Sequence, residues 1–180
     1  MATTTASPDG TASPDNWTLA AGASKVAAVA LPDDDITTYL NSTTTINTVQ
    51  TFTVSPALTV GDTITEITLT ARLSRDTQNT NVTIGYSFTP NGGGTQTGTS
   101  GTIQATVTWT DYTYTHSGLS VVWGSDLTIF IQNIQARDAR LTSFYVTITY
   151  TPGAGGGGQP MVARARQVPG MRRPHGRQGW

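Results

Sequence analysis

The sequence predicts an all-β domain, an antiparallel β-sandwich or jelly roll of about eight strands with extended N- and C-terminal arms. Three observations carry that prediction. Between Ile64 and Phe88, Ile67, Leu69, Ala71 and Leu73 alternate with Thr68, Thr70, Arg72 and Ser74, and Val82, Ile84, Tyr86 and Phe88 repeat the pattern. A strand turns successive side chains to opposite faces, so this spacing gives one dry and one wet face. Short runs of the same kind recur between turn signals, and no amphipathic helical period occurs anywhere. The inward positions mix Ala with Trp and Tyr, as two facing sheets of uneven depth require, which favours a sandwich over its main competitor, a barrel.

Taken in order, residues 1–16 are Thr, Ser, Pro, Ala and Asp with no apolar period, and read as an extended arm unable to fold alone. Trp17 and Leu19 are the first anchors to a core. Lys25 to Leu31 is a short Ala/Val run, broken by Pro32 and three aspartates before Ile36 to Leu40. Phe52 and Val54 mark a strand closed by Pro56, and Thr59 to Asp62 turn into the paired runs. Asn91 to Gly94 is a Gly-rich hairpin connection, after which Ile103, Ala105, Val107 and Trp109 alternate. Asp111 then shifts the phase, so Tyr112 and Tyr114 face the other way or follow a bulge. Leu127, Ile129 and Ile131 form the next strand. Gln132 to Ala136 reads as weak strand or a helical turn, and Phe144 to Tyr150 is the last strand, ended by Pro152. The domain therefore spans 17–152, and 153–180 is a Gly-rich linker with a basic arm.

A chain of 180 residues accommodates one such domain plus tails. Only 12% of residues are charged, about half the usual share. Without cysteine, neither a disulfide framework nor a thiolate metal site is available. No basic n-region with an apolar run and no long apolar stretch is present, so neither a signal peptide nor a membrane span is expected. The N-x-[ST] triplets at Asn16, Asn41 and Asn81 are what a Thr-rich chain makes by chance.

Charge is unevenly placed. Residues 1–152 hold five basic and all eleven acidic residues, a net of −6; the remainder holds Arg164, Arg166, Arg172, Arg173 and Arg177 with no acid, a net of +5. A basic arm ending in Trp180 suits an acidic or anionic partner surface. Its arginines are interspersed with Pro, Val and Met, which fits carboxylates on a protein better than a nucleic acid.

Catalytic signatures are missing: there is no G-x-S-x-G elbow, H-E-x-x-H, P-loop or dinucleotide fingerprint, so no catalytic residue and no cofactor is expected. His116 reads as a strand-end residue and His175 as a basic surface residue. Asp33, Asp34 and Asp35 form the one constellation resembling a calcium loop, but consecutive aspartates cannot all face one ion, so a solvated turn is preferred. Glu66, Asp111 and Asp126 offer no evident glycosidase pair. Trp109, Tyr112, Tyr114 and Trp123 would make a sugar-stacking face if exposed; core packing is preferred, because Trp109 keeps the inward phase.

The run from Asp15 to Thr44, with Trp17, the loop Pro32 to Asp35 and Thr38 to Leu40, resembles small β-sandwich virion proteins of tailed bacteriophages. So does the stretch from Thr51 to Asp76, with its long strand reaching Ala71 and Arg72, and Asp126 to Pro152 is similar to the closing half of such domains. The resemblance covers about residues 15–152; residues 153–180 match nothing in that family. It implies a jelly-roll structural part of a virus particle, assembled in the host cytoplasm, with no catalytic residues. The expectation is a capsid decoration or cement protein, trimeric by analogy, whose arms lie across the major capsid protein or other virion subunits. The alternatives are a glycan- or receptor-binding module of a head fibre or tail tip, with Asp33 to Asp35 and the aromatics as its site, or a tail or connector subunit.

Overall fold

The structure is a computed structural model in which residues 1–20, 24–30, 38–76 and 79–153 are described. Among these residues eleven strands follow one another: β1 Ala2–Ala6, β2 Pro8–Asp15, β3 Thr18–Leu19, β4 Leu40–Asn41, β5 Thr48–Val54, β6 Thr63–Arg75, β7 Thr80–Pro90, β8 Gln96–Thr99, β9 Ile103–Ala105, β10 Thr110–Asn133 and β11 Ala139–Thr151. The only helical element among them is a 3-10 turn at Ala27–Val29.

All pairings are antiparallel, and they build two layers. The first holds β6 between β11 and the first half of β10, with β1 and the β4–β3 pair on the far side of β11. In the second, β5 and β7 flank the second half of β10, with β2 outside β5 and β8 and β9 outside β7. The chain is thus an antiparallel β-sandwich of jelly-roll type. One strand belongs to both layers. β10 pairs with β6 up to Val122 and with β5 and β7 from Trp123 onward, and its register slips around Ser117 to Val121 and again between Trp123 and Thr128. Gly118 (φ 75°) and Asp126 (φ 62°) sit in those slips, where the backbone must bend out of the regular pleat.

The core lies between the layers. Ile64, Ile67, Leu69 and Leu73 of β6, with Phe144, Val146 and Ile148 of β11, face Phe52 of β5, Val82, Ile84 and Tyr86 of β7, and Ile129 and Ile131 of β10; none has measurable exposure. Phe52 meets Phe144 edge-on across the gap at 6.2 Å. The expected hairpin at Asn91 to Gly94 joins β7 to β8, and Gly92, Gly93 and Gly94 all take positive φ.

Three expectations need correction. Residues 1–16 are not an arm outside the domain: β1 pairs with β11 from Ala2↔Tyr150 to Ala6↔Val146, and β2 pairs with β5. Ladder bonds join main-chain groups, so an edge strand forms without the apolar period that a core strand needs. The run from Ile103 to Trp109 is not one strand, because β9 ends at Ala105 and the chain crosses to the other layer before β10 begins. Parity restarts there: Tyr112 and Tyr114 turn to the core, opposite Ala71 and Leu69, and Trp109 stands outside. Of Gln132 to Ala136, Gln132 and Asn133 close β10 and the rest is neither strand nor helical turn.

Candidate functional site

One end of the first layer's outer face is set by alternation around three leucines. Leu40, Leu73 and Leu141 are fully buried, so Asn41, Ser74 and Arg140 beside them turn outward. Register sets these three side by side, Asn41↔Arg140 and Arg140↔Ser74, on β4, β11 and β6. Tyr39 joins them just ahead of β4. Trp109 joins from the other side, immediately before Thr110, which pairs with Leu73.

Side-chain geometry ties these residues into one patch. The Tyr39 and Trp109 ring centres are 5.9 Å apart with planes inclined at 60°, and both rings are half-buried. The Arg140 guanidinium carbon lies 5.5 Å from the centre of the Tyr39 ring, a cation–π contact. Arg140 Nη2 also lies 3.7 Å from Asp76 Oδ2, and further along the face Arg72 Nη1 lies 3.6 Å from Asp111 Oδ1. Within the patch, Asn41 Oδ1, Ser74 Oγ and Arg140 Nε are covered yet have no hydrogen-bond partner. Buried polar atoms are nearly always paired, so three orphans in one cross-strand row depart from the ordinary pattern.

Six residues along β6 from Ser74, a lane of hydroxyls crosses the same face of the sheet. Thr5, Thr147, Thr68 and Thr115 are register neighbours on β1, β11, β6 and β10. Their Oγ1 atoms approach to 3.1 Å between Thr5 and Thr147 and to 3.0 Å between Thr68 and Thr115.

The structure separates the four aromatics considered from sequence. Trp109 is on the outer face, which corrects the inward phase expected of it. Trp123 is buried and packs on Phe88 at 5.5 Å, and Tyr112 and Tyr114 pack against the core. Tyr39, Asn41 and Arg140 were not singled out from sequence as site residues. His116 lies between the layers, its Nδ1 2.7 Å from the Tyr86 hydroxyl, and burial pushes the Tyr86 hydroxyl above its usual pKa. Asp126 accepts a 2.6 Å hydrogen bond from Ser125 Oγ on the rim of a cleft of about 380 Å³, one wall of which is Trp123. Asp33, Asp34 and Asp35, and likewise Arg164, Arg166, Arg172, Arg173, Arg177 and Trp180, lie outside the described residues. Among the described residues no group of three or more His, Cys, Asp or Glu is placed to hold a metal ion, and no helix is long and apolar enough to cross a membrane.

The sequence matches no protein-family model and no curated protein. Similar solved structures exist. The CBM22-1 and GH10 modules of Clostridium thermocellum xylanase 10B, complexed with xylohexaose, superpose with a TM-score of 0.51 at 12% identity over 74% of this chain and 25% of that one. The CBM22-1 xylan-binding domain of Paenibacillus barcinonensis Xyn10C gives 0.49 at 13% identity, over 81% of this chain and 94% of the domain. Tailspike protein 4 of bacteriophage CBA120 gives 0.40 at 15% identity, over 74% of this chain and 19% of that one. At 12% identity the likeness to the first of these concerns the fold, and it agrees with the sandwich derived from the strand pairings.

Proposed function

We propose that this chain is a binding module for a hydroxyl-rich glycan, carried on a virion as part of a head fibre or tail tip, and that it acts by binding without catalysis. The observation that carries the reading is the outer-face patch of Tyr39, Trp109 and Arg140, where two half-buried rings adjoin a partly exposed guanidinium paired with Asp76. A sugar ring presents an apolar C–H face and a hydroxyl rim, and this surface offers a complement to each. Structures in which the same fold carries carbohydrate-binding modules support the reading.

The capsid-cement reading rests on two terminal arms, and residues 2–15 are strands of the domain itself. What remains in its favour is the acid-free tail with five arginines and the resemblance to virion sandwiches. Titration calorimetry of the full chain with a panel of soluble oligosaccharides, xylohexaose included, tests the proposal. Binding that Trp109→Ala weakens at least tenfold is expected. Failure of the whole panel, or binding indifferent to that substitution, would overturn it.

A further inference from the structure

Among the described residues, the first half of β10 is an open sheet edge. From Thr110 to Ser117 it pairs with β6 on one side through eight consecutive residues without a slip, and no described strand pairs with its other side. In an antiparallel ladder every second residue turns its N–H and C=O away from its partner, so about four residues here present unused donors and acceptors along one line. Folded proteins ordinarily blunt such an edge with proline, lysine, a bulge or brevity.

The other edges of this sandwich are blunted in those ways. β2 carries Pro8, Pro14, Asp9 and Asp15 and slips register twice. β3 has two residues, β8 and β9 have four and three, and β1 has five. β10 has no proline or lysine between Thr110 and Ser117, and its one charge there, Asp111, is beside Arg72. The unprotected edge is therefore also the longest one without a register slip.

We infer that this edge pairs with the same edge of a second copy, antiparallel and about a two-fold axis at Tyr114, making one continuous sheet from two first layers. The sequence is self-complementary in that register. Thr113 falls opposite the second copy's Thr115, Tyr112 opposite its His116, and Asp111 opposite its Ser117, so no like charges meet. The Thr113 and Thr115 pairing repeats a contact this sheet already makes, between Thr68 and Thr115. In an isologous pairing each such contact occurs twice. An extended peptide from another protein could use the same main-chain groups, and the matched side chains favour the second copy. A single strand pair is a small interface, so the association belongs in the micromolar range or weaker.

The inference does not rest on the glycan reading and is tested without ligand. Sedimentation velocity of the full chain over roughly a hundredfold concentration range should show a reversible monomer–dimer equilibrium. The double substitution Thr113→Lys and Thr115→Lys, on outward positions, places lysine opposite lysine and should abolish the dimer with the circular dichroism spectrum unchanged. Hydrogen exchange supplies a second reading: amides between Thr110 and Ser117 should gain protection as concentration rises in the unmodified chain alone. A chain that stays monomeric throughout, a dimer insensitive to the two lysines, or protection gained elsewhere would each overturn it.

Discussion

Trp109 and Trp123 are both tied to β10, one just ahead of it and one at its mid-point, and they have opposite fates. Trp123 is 6% exposed and stacks on Phe88 between the layers, where it holds the sandwich together. Trp109 stands half-buried on the outer face against Tyr39. The difference teaches that an aromatic's role here follows from the layer its strand segment has joined. Periodicity alone does not carry across a change of layer.

The sharpest way to break the comparison is to shorten each ring in turn. Trp123→Ala removes a buried indole and should cost about 3–5 kcal/mol of unfolding free energy, read by urea denaturation, while glycan affinity per folded molecule stays unchanged. Trp109→Ala should do the reverse: stability falls by only about 1–2 kcal/mol, as for a half-buried ring, and affinity falls at least tenfold by calorimetry, about 1.4 kcal/mol or more. Arg140→Lys keeps the charge and loses the planar guanidinium over Tyr39, so a loss of roughly threefold to tenfold in affinity is expected, again with stability held. If Trp109→Ala instead unfolds the protein, the outer patch is structural and the contrast collapses.

A smaller effect sharpens the contrast at the far end of the same sheet. Asp62 accepts main-chain hydrogen bonds from Thr59 and Gly153 at 2.9 and 3.0 Å, and these hold its carboxyl below 3.8, the Thr59 bond foremost. A carboxyl depressed on folding stabilises the protein above its unfolded pKa, and the stabilisation fades as pH falls through the folded value. Denaturation midpoints measured from about pH 5 down to pH 2 should therefore drop in the native chain and drop less in Asp62→Asn.

Much of the fold was legible because burial on one face writes itself into a strand with period two. β6 and β7 alternate apolar and polar residues over most of their length, as β11 does from Phe144 to Ile148, and those core positions are the ones the sequence marks, whereas Ala139 and Leu141 at the start of β11 were not marked. β1 and β2 were illegible for a physical reason: an edge strand is held by main-chain bonds, and Thr3, Thr4 and Thr5 announce nothing about pairing. The crossing between Ala105 and Thr110 was hidden likewise, since Val107 and Trp109 happen to continue the count although Val107 is 60% exposed. The patch was not legible, because the last strand was read only from Phe144, leaving Leu141 unmarked, and Trp109 was read inward. Alternation about Leu40 and Leu141 turns Asn41 and Arg140 outward, but the register that sets them beside Ser74 exists only in the folded sheet.

The contact between Asp62 and Gly153 bears on how the molecule would be displayed. Gly153 follows the last strand and packs so closely on Gly61 that a Cβ there would stand 2.5 Å from the Gly61 carbonyl oxygen. Ala2 is opposite Tyr150, at that same end. The thirteen residues of β6 separate this end from Tyr39 and Trp109 by about 40 Å. A support holding the domain by residue 2 or residue 153 would act as a wrist, with the two rings at the fingertips, reaching outward for whatever surface comes within range.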